Sequence, residues 1–147
     1  MASWAEIEAA EPDFANKVRA LFDAHKHKTM ATLRRDGSPR ISGIEMEFSD
    51  GEVFVGMMPA SVKFADVQRD PRVAFHSGSE DPPTEDPASW TGDAKIAGRA
   101  IEVREEEFKK FRIDINEVVL IRVGRPADHL VVESWHPGRG LIRRERR

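Results

Sequence analysis

Two Asp-Gly pairs, Asp36-Gly37 and Asp50-Gly51, restrict this chain more than any other feature of its sequence. Thr29–Arg34 precedes the first pair and Glu52–Met57 follows the second. Between them, Arg40–Phe48 alternates, with Ile44, Met46 and Phe48 on one face. Asp-Gly between extended runs is the strongest local hairpin signal, because the two-residue turn it favours needs positive φ at both central positions. Two such turns in succession predict a three-strand antiparallel meander.

The segments on either side fit the same picture. Residues 4–27 read as helical, with Phe14, Val18, Leu21 and Phe22 on one stripe. Pro12 and Asp13 suit a helix start near Glu11, which leaves Ala2–Ala10 as a separate short turn of helix. After the third strand, Ser61 is a good N-cap. Val62, Ala65 and Val67 give an apolar helix face, and Asp70-Pro71 ends the helix. Arg72–His76 is a fourth strand. Residues 77–93 hold three prolines and no periodicity, so they form a loop, with Trp90 tucking it onto the body. Ala94–Arg104 is a long strand in which Gly98 marks a bulge or close approach. Glu105–Phe111 reads as a short charged helix, and Glu117–Val123 and His129–Trp135 as two more strands. The expected fold is mainly β with short helices: a six- to seven-stranded antiparallel barrel. Residues 1–28 form an N-terminal helical segment and 29–147 the barrel, within a single domain overall.

Composition narrows the function. A chain of 147 residues with 39% hydrophobic and 33% charged residues can bury a sizeable core without staples. It has no cysteine, which excludes disulfides, a thiolate nucleophile and Cys-ligated metal. Net charge is −3, which offers nucleic acid no general attraction. Apolar runs are too short for a membrane span, and no signal segment opens the chain, so a cytoplasmic location is expected. His25 and His27 have no acid or further histidine placed beside them, so no metal site is expected. The basic tail from Arg139 to Arg147 reads as a solvated, frayed terminus; the alternative has its arginines folded onto an anionic ligand.

The stretch MMPASVKFADVQRDPRVAFH carries the chemistry. A helix N-terminus presents unpaired N–H groups and a partial positive charge. Ser61 adds a hydroxyl and Lys63 an ammonium in the first turn. Arg40, early on the second strand, reaches the end of the third in a meander, where this helix begins. These groups make a phosphate-sized cradle.

At these residues the chain resembles the pyridoxamine 5'-phosphate oxidase-like family of split β-barrels. The match runs through TMATLRRDGSPRISGIEMEF and EVFVGMMPASVKFADVQRDPRVAF, then DAKIAGRAIEV and LVVESWHPGRGL, from about Thr29 to Leu141. The resemblance implies a homodimer that binds flavin mononucleotide (FMN), or alternatively the deazaflavin F420, between subunits. It implies that Arg40, Ser61 and Lys63 hold the cofactor phosphate and that Gly56 and Met57 lie along the ring system. Trp135 matches a tryptophan that reaches the other subunit's cofactor; a core or dimer-contact role is the alternative. Val62 stands where the oxidase proper has arginine, and WHPGRGLIRRERR does not reproduce its C-terminal pattern. The resemblance therefore implies a flavin- or deazaflavin-dependent oxidoreductase that is not a true pyridoxamine 5'-phosphate oxidase. Its substrate would be a small, flat, partly apolar molecule. The alternative is a non-catalytic flavin- or haem-binding or sensor module. If F420 is the cofactor, Arg69, Arg72 and the C-terminal arginines are candidates to meet its acidic tail.

Overall fold

The computed structural model describes residues 1–103 and 109–147. Two helices, α1 (Trp4–Ala10) and α2 (Pro12–Asp23), precede β1 (Lys28–Leu33), β2 (Pro39–Ile44), β3 (Met46–Ser49) and β4 (Glu52–Met57). Then come α3 (Val62–Arg69), β5 (Arg72–His76), β6 (Asp93–Val103), β7 (Lys109–Val123), β8 (Leu130–His136) and β9 (Gly140–Arg146). All strand pairs are antiparallel.

The alternation of Ile44, Met46 and Phe48 continues across Glu45, but the pairing partner changes there. β2 pairs with β1 before it and β3 with β4 after it. The sheet runs β2-β1-β5-β6-β7-β4-β3, so its two ends are consecutive pieces of one extended run. The meander read from the Asp-Gly pairs is thereby closed into a barrel by β5, β6 and β7. β8 and β9 extend from the far half of β7. Nine strands appear among the described residues, against six or seven expected. Glu45 divides one of them, and β9 replaces the expected frayed tail. The tail is ordered because Leu130–His136 offers it a full antiparallel ladder, Leu130↔Arg146 through His136↔Gly140. Its arginines then stud an edge strand, where charge discourages further pairing.

The two Asp-Gly turns differ. Asp50 and Gly51 have φ of 51° and 73°, the tight turn expected. At the first, only Gly37 is positive, and the strands close at Leu33↔Pro39. That longer loop is held by Asp36, whose carboxylate accepts from the Ser38 backbone N–H at 2.9 Å and its hydroxyl at 2.5 Å.

Gly98 sits at a register shift in the β6–β7 ladder, and a Cβ there would lie 2.1 Å from the Asp114 carbonyl oxygen. β7 begins earlier than expected. Phe111, Ile113 and Ile115 alternate into the core, so Lys109–Phe111 is strand rather than the end of a charged helix. The rest of that expected helix, residues 105–108, and the last residue of the strand before it lie outside the described residues.

The helices share the barrel's core. Trp4, Ile7, Phe14, Val18 and Phe22 are buried with Met30, Phe48, Val55 and Ile113 in one cluster. Trp4 meets Phe48 edge-on at 4.9 Å between centroids. Ser3 and Glu6 close a capping box on α1. The apolar stripe ends at Phe22, and the helix stops at Asp23 rather than at residue 27.

Candidate functional site

Helix α3 is capped as the sequence suggests: the Ser61 hydroxyl accepts from the Phe64 backbone N–H at 3.3 Å. Its buried face keeps Val67 of the one expected but not Val62 or Ala65. Phe64 and Val67 are buried, while Val62 and Ala65 are exposed. Phe64 turns inward because its ring packs on Phe111, centroids 5.9 Å apart, which removes more apolar area than a valine could.

That rotation also buries Asp66, only 1% exposed, and Asp66 organises the site. Its Oδ2 accepts from the Thr32 hydroxyl and from Arg40 Nε, each at 2.7 Å. Its Oδ1 accepts from Arg69 Nη2 at 3.1 Å. Burial by itself raises the Asp66 carboxyl, but the hydrogen bonds from Thr32 and Arg40, with the charges of Arg40 and Arg69, outweigh it and hold it below its ordinary value. Arg40 thus reaches α3 from β2 at Asp66, a turn beyond the Ser61 start that was expected, through an acid not singled out above. The Asp66–Arg69 spacing was legible; the burial that gives it force was not.

Lys63 crosses from the first turn of α3 to β2, where its ammonium donates to the Gly43 carbonyl. Arg40 and Lys63 therefore both meet the β2–α3 junction. Beside Arg40 lies a cavity of about 410 Å³ whose lining includes Arg34, Arg35, Arg69, Asp36 and Asp66. Four arginines face two aspartates there, so the notch is net positive in a chain that is net negative. Beyond Gly43, a second cavity of about 280 Å³ is lined by Glu45, Met46, Phe54, Gly56 and Lys110 among others. Lys110 Nζ lies 4.5 Å from the Phe54 ring centroid. A Cβ at Gly43 or at Gly56 would meet nothing within 4 Å, so both backbones present open surface. Arg40 to Glu45 is about 16 Å of extended strand at ~3.3 Å per residue, and it links the cationic notch to the second cavity.

Arg40 and Lys63 each bridge β2 and α3, Arg40 to Asp66 and Lys63 to the Gly43 carbonyl, Ser61 caps α3, and Gly56 borders the neighbouring cavity. Met57 and Trp135, at 1% and 6% exposed, belong to the core of the chain, which for Trp135 is the alternative named above. Arg72 lies apart from Arg69. It binds Asp70 at 2.7 Å, and its hydrogen bond lowers the Asp70 carboxyl to about 2. The two histidines near the barrel's outer face already have acid partners, His76 with Asp93 at 3.2 Å and His136 with Glu117 at 2.7 Å.

A family model described as pyridoxamine 5'-phosphate oxidase matches residues 14–143. A search of curated proteins returned no match. Among solved structures, PhzG from Burkholderia lata 383, in complex with tetrahydrophenazine-1-carboxylic acid, superposes with a TM-score of 0.68 at 11% identity, covering 99% of this chain and 96% of its own. A pyridoxamine 5'-phosphate oxidase-related, FMN-binding protein from Nostoc punctiforme PCC 73102 gives 0.62 at 12% identity, over 100% and 98%. HutZ, a haem storage protein from Vibrio cholerae, gives 0.55 at 13% identity, over 73% and 90%. At such identities these structures speak for the split-barrel fold alone. With the family model spanning most of its length, the chain belongs to the pyridoxamine 5'-phosphate oxidase family.

Proposed function

We propose that this protein is an FMN-dependent oxidoreductase that works as a homodimer on a small, flat, partly apolar substrate. The observation that carries the reading is the pair of cations that bridge β2 and α3: Arg40 reaches Asp66, and Lys63, two residues after the Ser61 cap, reaches the Gly43 carbonyl. In this reading Lys63 and Arg40 bind the FMN phosphate and Ser61 fixes the helix end that faces it. Gly43 and Gly56 give the ring flat backbone to lie on, with Met57 contributing its backbone from the core. A bound flavin supplies hydride chemistry; the chain binds, orients and excludes water. Met46, Phe54 and Val55 supply the apolar wall of the cavity next to Gly56, and Lys110 its charge. No acid or base of the chain is assigned a proton.

The dimer is supported by the barrel's outer face. Ile41 is 74% exposed, and it lines a shallow cavity with Ala31, Ala74 and Ala97. Exposed Met58 and Val62 flank the Ser61 cap. Apolar side chains gathered around a polar cradle fit a surface closed by a partner and a cofactor.

A second reading has a specific support: Arg34, Arg35 and Arg69 carry positive charge beyond Arg40. That extension suits the acidic tail of F420.

The experiment is a pair of fluorescence titrations of purified apo-protein, with FMN and with F420, followed by reduction of the loaded protein by nicotinamide donors. The expected result is saturable FMN binding, at least tenfold weaker in Lys63→Ala, and a flavin that is reduced and reoxidised. Tighter F420 binding selects the second reading. Equal affinity of wild type and Lys63→Ala refutes the cradle. Binding of FMN or haem without any reduction supports a non-catalytic module instead.

A further inference from the structure

We propose that the cleft between α2 and the loop ending at Gly92 is a second small-molecule site, for a carboxylate with a flat or short aliphatic body. It is independent of the Arg40–Lys63 site. The cleft has a volume of about 380 Å³, within the range of small-molecule pockets. Leu21 of α2, Ala24 at its C-terminal cap, Leu120 of β7 and Trp90 of the loop make apolar walls.

The walls are built rather than loose. The Trp90 indole N–H donates to the Glu80 carbonyl at 2.6 Å. Two residues on, Gly92 has φ of +94°, and a Cβ there would lie 2.2 Å from the Ile121 carbonyl oxygen. The loop backbone is therefore pressed directly against β7, and only glycine allows that approach.

Two cations border this apolar space. Lys17 shares the helix stripe of Leu21 and Ala24 at i, i+4 and i+7. Among the described residues it has no ion-pair or hydrogen-bond partner. Arg122 comes from β7 with its side chain 30% exposed. Its Nε forms an ion pair with Glu133 at 3.6 Å and, among the described residues, makes no hydrogen bond. A guanidinium carries five N–H donors, so this ion pair leaves its Nη groups for a second acceptor. The two cations and the apolar walls together specify an anion with an apolar body. A carboxylate meets the planar guanidinium with two parallel hydrogen bonds.

The test is isothermal titration calorimetry of the full chain in excess FMN, with 2-naphthoate as probe and 2-naphthamide as its neutral counterpart. One saturable site is expected, with the carboxylate bound at least tenfold more tightly than the amide. Arg122→Gln and Lys17→Met should each reduce that preference severalfold. Ala20→Phe, at an exposed helix position on the cleft's edge, should abolish binding while circular dichroism confirms an unchanged fold. The proposal is overturned by no saturable binding, by equal affinity for acid and amide, or by naphthoate binding that persists in folded Ala20→Phe.

Discussion

Asp66 is the residue whose replacement tests the local architecture most directly. Asp66→Asn keeps the shape but removes the charge from a side chain that accepts from Thr32, Arg40 and Arg69. Hydrogen bonds to a charged group contribute about 1.5–3 kcal/mol each. Asparagine keeps an acceptor for Thr32 and Arg40 but turns an amide N–H₂ toward the Arg69 guanidinium or its neighbour. Breaking a buried pair by removing one partner costs about 3–5 kcal/mol. Arg40 and Arg69 are 24% and 31% exposed and regain some water, and the neutral amide is cheaper to bury, so the expected loss is smaller, about 2–3 kcal/mol at pH 7. At this chain length each kcal/mol moves Tm by about 2–4 °C, which gives a fall of roughly 4–12 °C. Urea unfolding, followed by the fluorescence of buried Trp4 and Trp135, measures the loss, with m unchanged. The pH dependence has a definite sign. The folded Asp66 carboxyl lies below its unfolded value, so its contribution is complete above the ordinary carboxylate range and disappears as pH falls through the folded value. The gap between wild type and Asp66→Asn should therefore close on acidification below about pH 4. Equal midpoints at pH 7, or a gap that is constant down to pH 3, would refute the assignment of Asp66 as an ionised tie.

Three further outcomes are expected. Ile41→Glu puts a charge at the centre of the proposed dimer face, so light scattering should report a monomer where wild type is a dimer; an unchanged mass places the interface elsewhere. Gly98→Ala drives a Cβ into the Asp114 carbonyl and should cost at least about 2 kcal/mol, seen as a lower urea midpoint; a neutral result would mean that the bulge relaxes freely. Deleting residues 140–147 strips β9 from β8 and uncovers Trp135, which faces Leu141 across the ladder. The deleted protein should melt earlier and bind a hydrophobic dye at room temperature; an identical melting curve would show that β9 contributes nothing.

Much of the fold was written locally. Asp50-Gly51 alone marks a two-residue turn, because few residues besides glycine, asparagine and aspartate tolerate its two positive φ values. The bounds of Glu52–Met57 and Arg72–His76 follow from turn residues and alternation, and the Ser61 cap from a hydroxyl one position before an apolar run. Arg40, Ser61 and Lys63 could be named together because a meander brings a strand start near the next strand's end. Other features were decided only in three dimensions. Nothing local distinguishes Val62 from Phe64 as the buried face of an eight-residue helix; the presence of Phe111 opposite does. Asp66 reads as one acid among many until that rotation buries it under two arginines and a threonine. The C-terminal arginines look like a solvated tail until β8 offers them a ladder, since backbone hydrogen bonding is indifferent to side-chain charge at an edge. The sequence by itself thus determined where the chain turns and which strands alternate, since those are properties of adjacent residues. Which side chains lose their water, and so which charges become strong, was decided by distant contacts that exist only once the barrel has closed.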